Sequence, residues 1–307
     1  MNFHKKLKQS TPFLFMVLPG FIWVFILNYL PMSGLVLAFK RLRFSGNFVN
    51  SVITSKWVGL DNFRFLFGSS DAWIITRNTV LYNLGFIVLG TISALILAIL
   101  LSSMFNSTLR NLYQTIFLFP NFISWVVVSY FTLAFLHPGN GLLNAWFDKL
   151  GFPAVEWYSD TGPWPYILII TNIWKGIGFG ASLYLAAILN IDRSLYEAAH
   201  IDGASTMQQI SNITLPFLRK LIIVLTLLAI GRIFYADFGL FYQVTQNVGL
   251  LYPVTDVIDT YVYRSLISSG DIPMATAAGF YQSLVGFVLI LCANAIVRKL
   301  DRESSLF

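Results

Sequence analysis

The sequence predicts an all-α integral membrane protein with six transmembrane helices, and three observations lead to this fold class. Apolar residues make up 56% of the 307 residues and charged residues only 11%, whereas an ordinary soluble domain carries roughly 25% charged residues. The mean hydropathy is +0.69. Several charge-free stretches reach the length of about 20 apolar residues that a helix needs to cross the hydrocarbon layer. A lipid bilayer is therefore the expected solvent. Nucleic acid is not an expected partner, because so apolar a chain has no broad basic face despite its net charge of +6.

Six apolar stretches are each long enough to cross a bilayer as a helix whose backbone hydrogen bonds are all internal. The predicted spans are residues 12–39, 75–101, 112–136, 165–189, 217–235 and 273–297. The first span follows a lysine cluster at Lys5, Lys6 and Lys8, and it is far longer than the apolar run of about 7 to 15 residues in a secretory signal peptide. We therefore interpret it as a retained membrane anchor.

The distribution of Lys and Arg predicts the orientation of these spans. Six spans place both termini on one side of the membrane, and basic residues are enriched in short cytoplasmic loops. The basic amino terminus, together with Arg298 and Lys299 after the last span, predicts that both termini are cytoplasmic. The first outer loop, residues 40–74, is rich in basic residues and is where this rule is obeyed least.

Two short helices are predicted on the outer surface. Residues 142–150 follow a turn sequence and look amphipathic. Residues 256–268 place apolar side chains at helical spacing, which again predicts a surface helix. Within the fourth span, Gly176 and Gly180 lie four residues apart, a spacing that favours close approach of a second helix.

The longest polar stretch on the predicted cytoplasmic side is the loop of residues 192–216. Ser194, with Glu197 three residues later, has the pattern of a capping box, so a short helix is expected to begin there. Gly203 would cost a continuous helix about 1 kcal/mol relative to alanine and therefore predicts a bend. Helical spacing resumes beyond it, and at Pro216 the chain is expected to turn back toward the membrane. Two short helices around a glycine form a knob suited to a groove in a soluble partner.

The same loop fits a longer pattern: Glu-Ala-Ala, three residues, Gly, nine residues, Ile-x-Leu-Pro. The matching residues are Glu197, Ala198, Ala199, Gly203, Ile213, Leu215 and Pro216. The loop thereby resembles the coupling loop of permease subunits of ATP-binding-cassette importers. Residues 57–63, 120–125, 256–261 and 275–299 look like the carbohydrate branch of that family, and more narrowly like permeases for oligosaccharides and polysaccharide fragments.

The resemblance implies a type I importer fold with several partners in a bacterial plasma membrane. Two six-helix permeases form the path, two cytoplasmic ATPases drive it, and an extracytoplasmic sugar-binding lipoprotein delivers the substrate; the second permease is expected to be a distinct homologue. ATP and Mg are expected in the partner ATPase, because this chain has no Gly-x4-Gly-Lys-Ser/Thr sequence; no cofactor or catalytic activity is expected in the chain itself. The residues implied in coupling to the ATPase are Glu197, Ala198, Ala199, Asp202, Gly203, Ala204, Leu215 and Pro216.

Charged and aromatic residues within the spans are candidates for the substrate path. Lys175 and Arg232 would each cost about 2.5 to 3.5 kcal/mol at the centre of a membrane helix, and Asp237 is a candidate ion-pair partner for either. Sugar rings stack on aromatic side chains. The aromatic candidates are Trp125, Tyr130, Trp174 and Tyr235. A structural ion pair or snorkelling to the interface explains the charged residues without substrate contact, and packing in the core or against lipid is the more common role for the aromatic ones.

Three alternatives stay open on the residues alone. A permease for another solute class fits the same motifs. Half of a secondary carrier would need inverted repeats and acidic residues within spans, and the sequence shows no convincing repeat. A membrane glycosyltransferase would need paired acidic residues or a metal site; Asp256 with Asp259 is the nearest pair, and helix capping explains it as well. The histidines, His4, His137 and His200, are too scattered in sequence to suggest a metal site.

Overall fold

The computed structural model describes residues 3–43, 46–68 and 70–300, which are mostly helical. This confirms the all-α fold class. The chain divides into two compact units: the first contains the described residues up to 68 together with 262–281, and the second contains 70–261 and 282–300. In this part of the chain, five helices are long and apolar enough to cross a membrane, or six if one sharply bent pair counts as a span.

In the first unit, the region of the first predicted span is a helix that changes type along its length. Helix α1 (Phe3–Val24) continues through a π-helical turn (Phe25–Tyr29), helix α2 (Leu30–Met32) and a 3-10 stretch (Ser33–Phe39). Pro31 lies at the start of α2. Proline has no N–H and clashes with the carbonyl four residues earlier, so the wider π-helical turn accommodates it without ending the helix.

The rest of the first unit shows why its loop is so basic. Strand β1 (Lys40–Arg41) pairs antiparallel with β2 (Lys56–Trp57), helix α3 (Phe48–Thr54) lies between them, and a 3-10 turn (Asp61–Phe63) and helix α4 (Phe65–Gly68) follow. Lys40 is buried; its amino group donates to the carbonyls of Val52 at 2.9 Å and Ile53 at 3.3 Å, at the end of α3. A lysine at a helix C-terminus satisfies carbonyls that have no partner within the helix. At least this basic residue of the loop therefore serves local structure.

The second unit contains most of the helices. They are α5 (Ser70–Ser102), α6 (Ser107–Leu118), α7 (Trp125–Leu136), α8 (Leu142–Lys149), α9 (Trp164–Leu189), α10 (Arg193–Ile201), α11 (Thr206–Gln209), α12 (Leu215–Ile230) and α13 (Tyr252–Thr255), while α14 (Ile258–Ser269) and α15 (Ile272–Leu300) contribute to both units. Helix α5 packs along α9 at the centre of this unit. A Cβ at Gly180 would lie 3.0 Å from that of Ala94 on α5, and a Cβ at Gly178 would overlap the backbone of Phe117 on α6. The predicted close approach is therefore right for Gly180 and wrong for Gly176, which has open space around it.

The third predicted span, residues 112–136, is not one helix. Helix α6 and its 3-10 extension (Phe119–Phe122) meet α7 at an angle of 98°. Pro120 lies in the extension, and Ser124, in extended conformation, accepts a hydrogen bond from the backbone of Val127 as the N-cap of α7. A proline followed by a new N-cap breaks the helix. An apolar run of this length hides the break, because only these two residues signal it.

The fifth predicted span, residues 217–235, overlaps its helix but is offset from it. A helix of continuous direction runs from Thr206 to Ile230, with a π-helical turn (Ile210–Thr214) between α11 and α12. Pro216 follows this turn directly and continues the helix, contrary to the prediction that the chain turns back there. The wider turn provides room for the proline ring, as it does at Pro31.

The two predicted surface helices differ from each other in burial. Helix α8 matches its predicted range closely and is largely exposed. At α14, however, Val257 and Ile258 are completely buried. The backbone N–H of Ile258 donates to the hydroxyl of Thr79 on α5 at 3.0 Å, and the amide of Asn78 donates to the carbonyl of Asp256 at 2.9 Å. The start of α14 is therefore part of the core of the second unit, so the prediction of a simple surface helix is wrong there.

Candidate functional sites

The loop of residues 192–216 begins with a capped helix, α10. The carboxylate of Asp192 accepts a hydrogen bond from the backbone N–H of Ser194 at 3.0 Å, and this bond holds the pKa of the carboxyl below its usual range. The predicted capping box at Ser194 is therefore wrong: the helix begins where expected, but Asp192 is its cap. A capping box lies instead at Ser205 and Gln208, which bond reciprocally at the start of α11.

The bend predicted at Gly203 is present. Gly203 has a φ of +81°, in the left-handed region that glycine adopts without steric cost. Its N–H donates to the carbonyl of His200 at 3.1 Å, and the N–H of Ala204 donates to that of Ala199 at 2.8 Å. This pair of bonds is a Schellman motif, which ends a helix and satisfies its last carbonyls. A Cβ at Gly203 would meet nothing within 4 Å, so the glycine is required by its backbone angle and borders open space.

The loop presents an exposed surface of mixed chemistry. Glu197 is exposed, and within the described residues its carboxylate has no hydrogen bond or ion pair. Two large apolar side chains flank the bend: Ile201 is 85% exposed and Met207 is 72% exposed. Because they are so exposed, they have no role in packing the loop. Of the other residues that the sequence singles out, Ala198, Asp202, Leu215 and Pro216 are exposed and Ala199 and Ala204 are half-buried. Sequence reasoning missed Ile201 and Met207; the signal was an apolar residue close to each side of Gly203.

One hydrogen bond ties α10 to the base of α12. The hydroxyl of Tyr196 lies 2.9 Å from that of Thr214, eighteen residues away. Thr214 is buried and closes the π-helical turn before α12, and Tyr196 is half-buried. Neither residue was singled out from the sequence, because only the fold brings them together. The loop is thus attached directly to the base of a membrane helix.

A cavity of about 660 Å³ lies between α5, α9, α12 and the segment that follows α12. Three of the predicted path residues line it, namely Arg232, Tyr235 and Asp237. The hydroxyl of Tyr235 bonds that of Ser283 on α15 at 2.6 Å. Trp174 lines a different, smaller cavity of about 420 Å³ between α7 and α9. Tyr130, at 65% exposure, lines neither, so the structure does not bring these two residues to the same place as the others.

Trp125, Lys175 and Asp237 form a cluster at the break in the third predicted span. The indole N–H of Trp125 donates to Oδ2 of Asp237 at 2.8 Å, and the amino group of Lys175 lies 5.1 Å from the centre of the Trp125 ring. That amino group also donates to the carbonyl of Asn121 at 2.8 Å. Within the described residues, Asp237 forms no ion pair with Lys175 or Arg232, so the predicted pairing is wrong. Its partner is instead an indole, and Lys175 satisfies a carbonyl at the break.

The acidic pair considered for an enzyme, Asp256 and Asp259, serves the packing of α14. Asp256 accepts from the hydroxyl of Thr260 at 2.6 Å. Asp259 accepts from the backbone N–H of Ala236 at 2.8 Å and from the amide of Gln282 at 3.1 Å. Burial raises the pKa of the Asp259 carboxyl despite these bonds. The two carboxylates therefore have separate structural partners, which removes the observation that pointed to an enzyme.

Helices long and apolar enough to cross a membrane, with an exposed helix–glycine–helix loop at the end of one of them, are the architecture of a membrane-embedded protein. Residues 87–303 match the family described as "Binding-protein-dependent transport system inner membrane component", and the chain belongs to this family. Family membership favours transport over the enzyme and secondary-carrier alternatives. The chain is accordingly a permease subunit.

Curated relatives and a solved structure agree with this assignment. The chain is 34% identical to "Protein LplB" of Bacillus subtilis (strain 168), over 97% of this chain and 92% of the relative. It is 32% identical to the "Polygalacturonan/rhamnogalacturonan transport system permease protein YteP" of the same organism, over 97% and 91%. It is similar to a chain in the crystal structure of a bacterial alginate ABC transporter in complex with alginate pentasaccharide-bound periplasmic protein, with 32% identity, a TM-score of 0.87 and coverage of 98% of both chains.

Proposed function

We propose that this chain is one of two permease subunits of an ATP-driven importer for oligosaccharides or polysaccharide fragments in a bacterial plasma membrane. Both termini are cytoplasmic, so the 192–216 loop faces the cytoplasm, where it docks on one of two ATPase subunits. A second, homologous permease completes the path, and an extracytoplasmic binding lipoprotein delivers the sugar. ATP and Mg bind to the ATPases and not to this chain.

The substrate class is supported by the relatives. YteP is named for transport of polygalacturonan and rhamnogalacturonan, and the solved structure with a TM-score of 0.87 is that of an alginate transporter. Each covers nearly all of this chain, so the similarity includes the helices that line the cavity as well as the loop. The cavity volume of about 660 Å³ is within the range of small-molecule sites, about 300 to 1,000 Å³.

The observation that carries the ATPase coupling is the exposed surface of the 192–216 loop. Its helices satisfy their own ends through Asp192, Ser205 and the Schellman motif at Gly203, so the loop keeps its shape without a partner. Its outward side chains are different: Glu197 has no partner in the part of the chain that the structure describes, and Ile201 is almost fully exposed. A rigid knob with an unpaired charge and apolar anchors is typical of a docking surface.

The Tyr196–Thr214 hydrogen bond supports a mechanical role for the same loop. Movement of α10 by a docked ATPase would be transmitted through this bond to the π-helical turn below α12. Residues of α12, and the segment after it, line the cavity. The loop and the cavity are therefore connected by one continuous helix.

Deletion of the chain tests the proposed function. In cells with the intact transporter, we expect uptake of radiolabelled oligosaccharides that is lost on deletion and restored by the wild-type chain, together with co-purification of an ATPase. A secondary carrier would instead stop when the ion gradient is collapsed at constant ATP, and a permease for another solute class would leave oligosaccharide uptake unchanged on deletion. Either result would overturn the proposal.

A further inference from the structure

The cavity contains charged groups whose partners can be followed one by one. Asp237 is fully engaged: Oδ2 accepts from the Trp125 indole, and Oδ1 accepts from the backbone N–H groups of Gly239 at 3.0 Å and Leu240 at 3.4 Å. Three donors therefore share its negative charge. Lys175, beside the cavity, directs its amino group to the Asn121 carbonyl and the Trp125 ring.

Arg232 is the other charged residue that lines the cavity, and it takes part in none of these contacts. It follows the end of α12 and lines the cavity. Among the residues described by the structure, its guanidinium has no hydrogen bond and no ion pair. Arg232 lies beyond the last residue of that apolar helix and its side chain is exposed, so the guanidinium is open to a ligand in the cavity. Its five N–H donors form a planar fork that matches a carboxylate.

Other residues of the lining suit a sugar beside that fork. Asn172 on α9 lines the cavity, and within the described part of the chain its side-chain amide has no hydrogen-bond partner. Tyr184 and Phe86 provide aromatic surface on the walls formed by α9 and α5. Aromatic faces stack on the apolar faces of sugar rings, while amide and guanidinium groups bond their oxygen atoms.

We propose that Arg232 binds the carboxylate of an acidic sugar as it passes through this cavity, so that the transported oligosaccharides contain uronate residues. This inference rests on the proposed function and narrows its substrate class. The guanidinium forms two parallel N–H···O bonds with the carboxylate, Asn172 binds ring hydroxyls, and the engaged carboxylate of Asp237 does not compete. A neutral sugar leaves the guanidinium unpaired, and the site discriminates against it for that reason.

The experiment compares radiolabelled digalacturonate with its dimethyl ester, in which both carboxylates are replaced by neutral methyl esters. Uptake is measured in cells whose native chain is replaced by Arg232→Gln, Arg232→Lys or Arg298→Gln. The last variant removes the same charge at the end of α15, away from the cavity lining. ATPase co-purification is measured for each variant as a test of assembly.

For Arg232→Gln, we expect the half-saturation concentration of digalacturonate to rise about tenfold, the usual effect of losing a hydrogen bond to a charged group. ATPase co-purification should be unchanged, and uptake of the ester should not fall, because the guanidinium that disfavours a neutral sugar is gone. Arg232→Lys should recover part of the lost digalacturonate uptake, because it restores the charge without the fork. Arg298→Gln should behave as wild type with both probes. If the wild-type transporter imports only digalacturonate, the test is the difference in digalacturonate uptake between Arg232→Gln and Arg232→Lys.

Several outcomes would overturn the inference. Wild-type digalacturonate uptake by Arg232→Gln would show that the guanidinium does not bind the carboxylate. Equal loss with both probes or loss of the ATPase would assign Arg232 to assembly, and no recovery in Arg232→Lys would show that positive charge at this position does not attract the acidic probe. Import of the ester alone by the wild type would also overturn it. Failure of the proposed function itself would give a different result: deleting the chain would then leave the uptake of both probes, and of every other oligosaccharide, unchanged.

Discussion

The 192–216 loop and the cavity beside α12 differ in which of their polar and charged groups have partners within the chain. In the loop, the helix ends are satisfied within the chain through Asp192 and Gly203, while the side chains of Glu197 and Ile201 are exposed. Around the cavity, the side chains of Trp125, Lys175 and Asp237 instead bind one another or the neighbouring backbone. The proposed docking of an ATPase uses exposed groups of the loop, whereas the proposed binding of a sugar relies on a few unpaired groups of the cavity.

This difference predicts that substitutions in the two regions affect different properties of the transporter. Variants of the loop surface should weaken ATPase binding and leave the affinity for substrate unchanged. Variants of the cavity should change the affinity for substrate or the rate of its passage and leave ATPase binding intact. A loop variant that altered substrate affinity alone would contradict the comparison.

The largest expected effect is that of Gly203→Asp. A side chain at residue 203 meets nothing within the chain, so the variant should fold and insert, with a strain of about 1 kcal/mol at its left-handed backbone. The new carboxylate projects from the proposed docking surface. A cost of about 2 kcal/mol, typical of an interface hot spot, would weaken ATPase binding about thirtyfold. We expect uptake and ATPase co-purification to be lost while the amount of protein in the membrane is unchanged.

Gly151→Asp is the matched control for this variant. Gly151 also has a left-handed backbone, with φ of +76°, and open space at its Cβ, but it lies after α8. The two variants share charge and backbone strain and differ in position. Equal loss of the ATPase in both would assign the effect to strain, and normal uptake by Gly203→Asp would refute the coupling role.

The next effect in size is that of Lys175→Met. This substitution keeps the length of the side chain but removes the donor to the Asn121 carbonyl and the contact with the Trp125 ring. Losing a charged donor from a partly buried carbonyl costs about 1 to 3 kcal/mol. We expect several-fold slower uptake with normal ATPase co-purification, because the break between α6 and α7 is held less firmly. Loss of the ATPase in proportion to uptake would instead place Lys175 in assembly.

The loop was largely predictable from the sequence because its determinants are local. A glycine at a helix end, cap residues nearby and the Glu-Ala-Ala spacing all act within a few residues, so Gly203 and the start of α10 were identified directly. The identity of the cap was missed because Asp192 and Ser194 are both good cap residues and lie two positions apart. The π-helical turn before Pro216 was missed because proline usually ends a helix, and only the backbone shows that it was accommodated.

The cavity was much less predictable, because its partners are far apart in sequence. Trp125 and Asp237 are separated by 112 residues, and a charge pattern alone favoured an ion pair with Lys175 or Arg232 over a bond to an indole. Abundant aromatic residues also made Tyr130 and Trp174 plausible path residues, although the structure places neither with the others. The break in the third span could not be predicted from hydrophobicity, because an apolar run indicates contact with lipid but does not show whether the helix is continuous.

A smaller effect is expected from the bond between Tyr196 and Thr214. Tyr196→Phe and Thr214→Val each remove it with little change in volume, at a cost of about 1 kcal/mol. We expect ATPase binding to be retained and the sugar imported per ATP hydrolysed to fall about fivefold, since a loosened bond transmits less of the movement of α10 to α12. The double variant should be no worse than either single variant. Thr214→Ser keeps the hydroxyl and should behave as wild type; independent, additive losses would show that the bond does not transmit the movement.

The smallest effect is expected at the cap of α10. Asp192→Ala removes the acceptor for the Ser194 N–H, so the first turn of α10 should fray and ATPase binding should weaken slightly. Because the bond lowers the pKa of Asp192, the charged cap contributes its full stabilisation above the usual range of Asp titration and loses it only as the pH falls through the lowered pKa. The ratio of ATPase affinities between the wild type and Asp192→Ala should therefore be independent of pH between about 6 and 8, well above the Asp range near 3.9. Asp192→Asn keeps an acceptor without the charge and should lie between the wild type and the alanine variant. An alanine variant as defective as Gly203→Asp would mean that Asp192 contacts the ATPase itself, and the loop would then have no purely structural residue at its start.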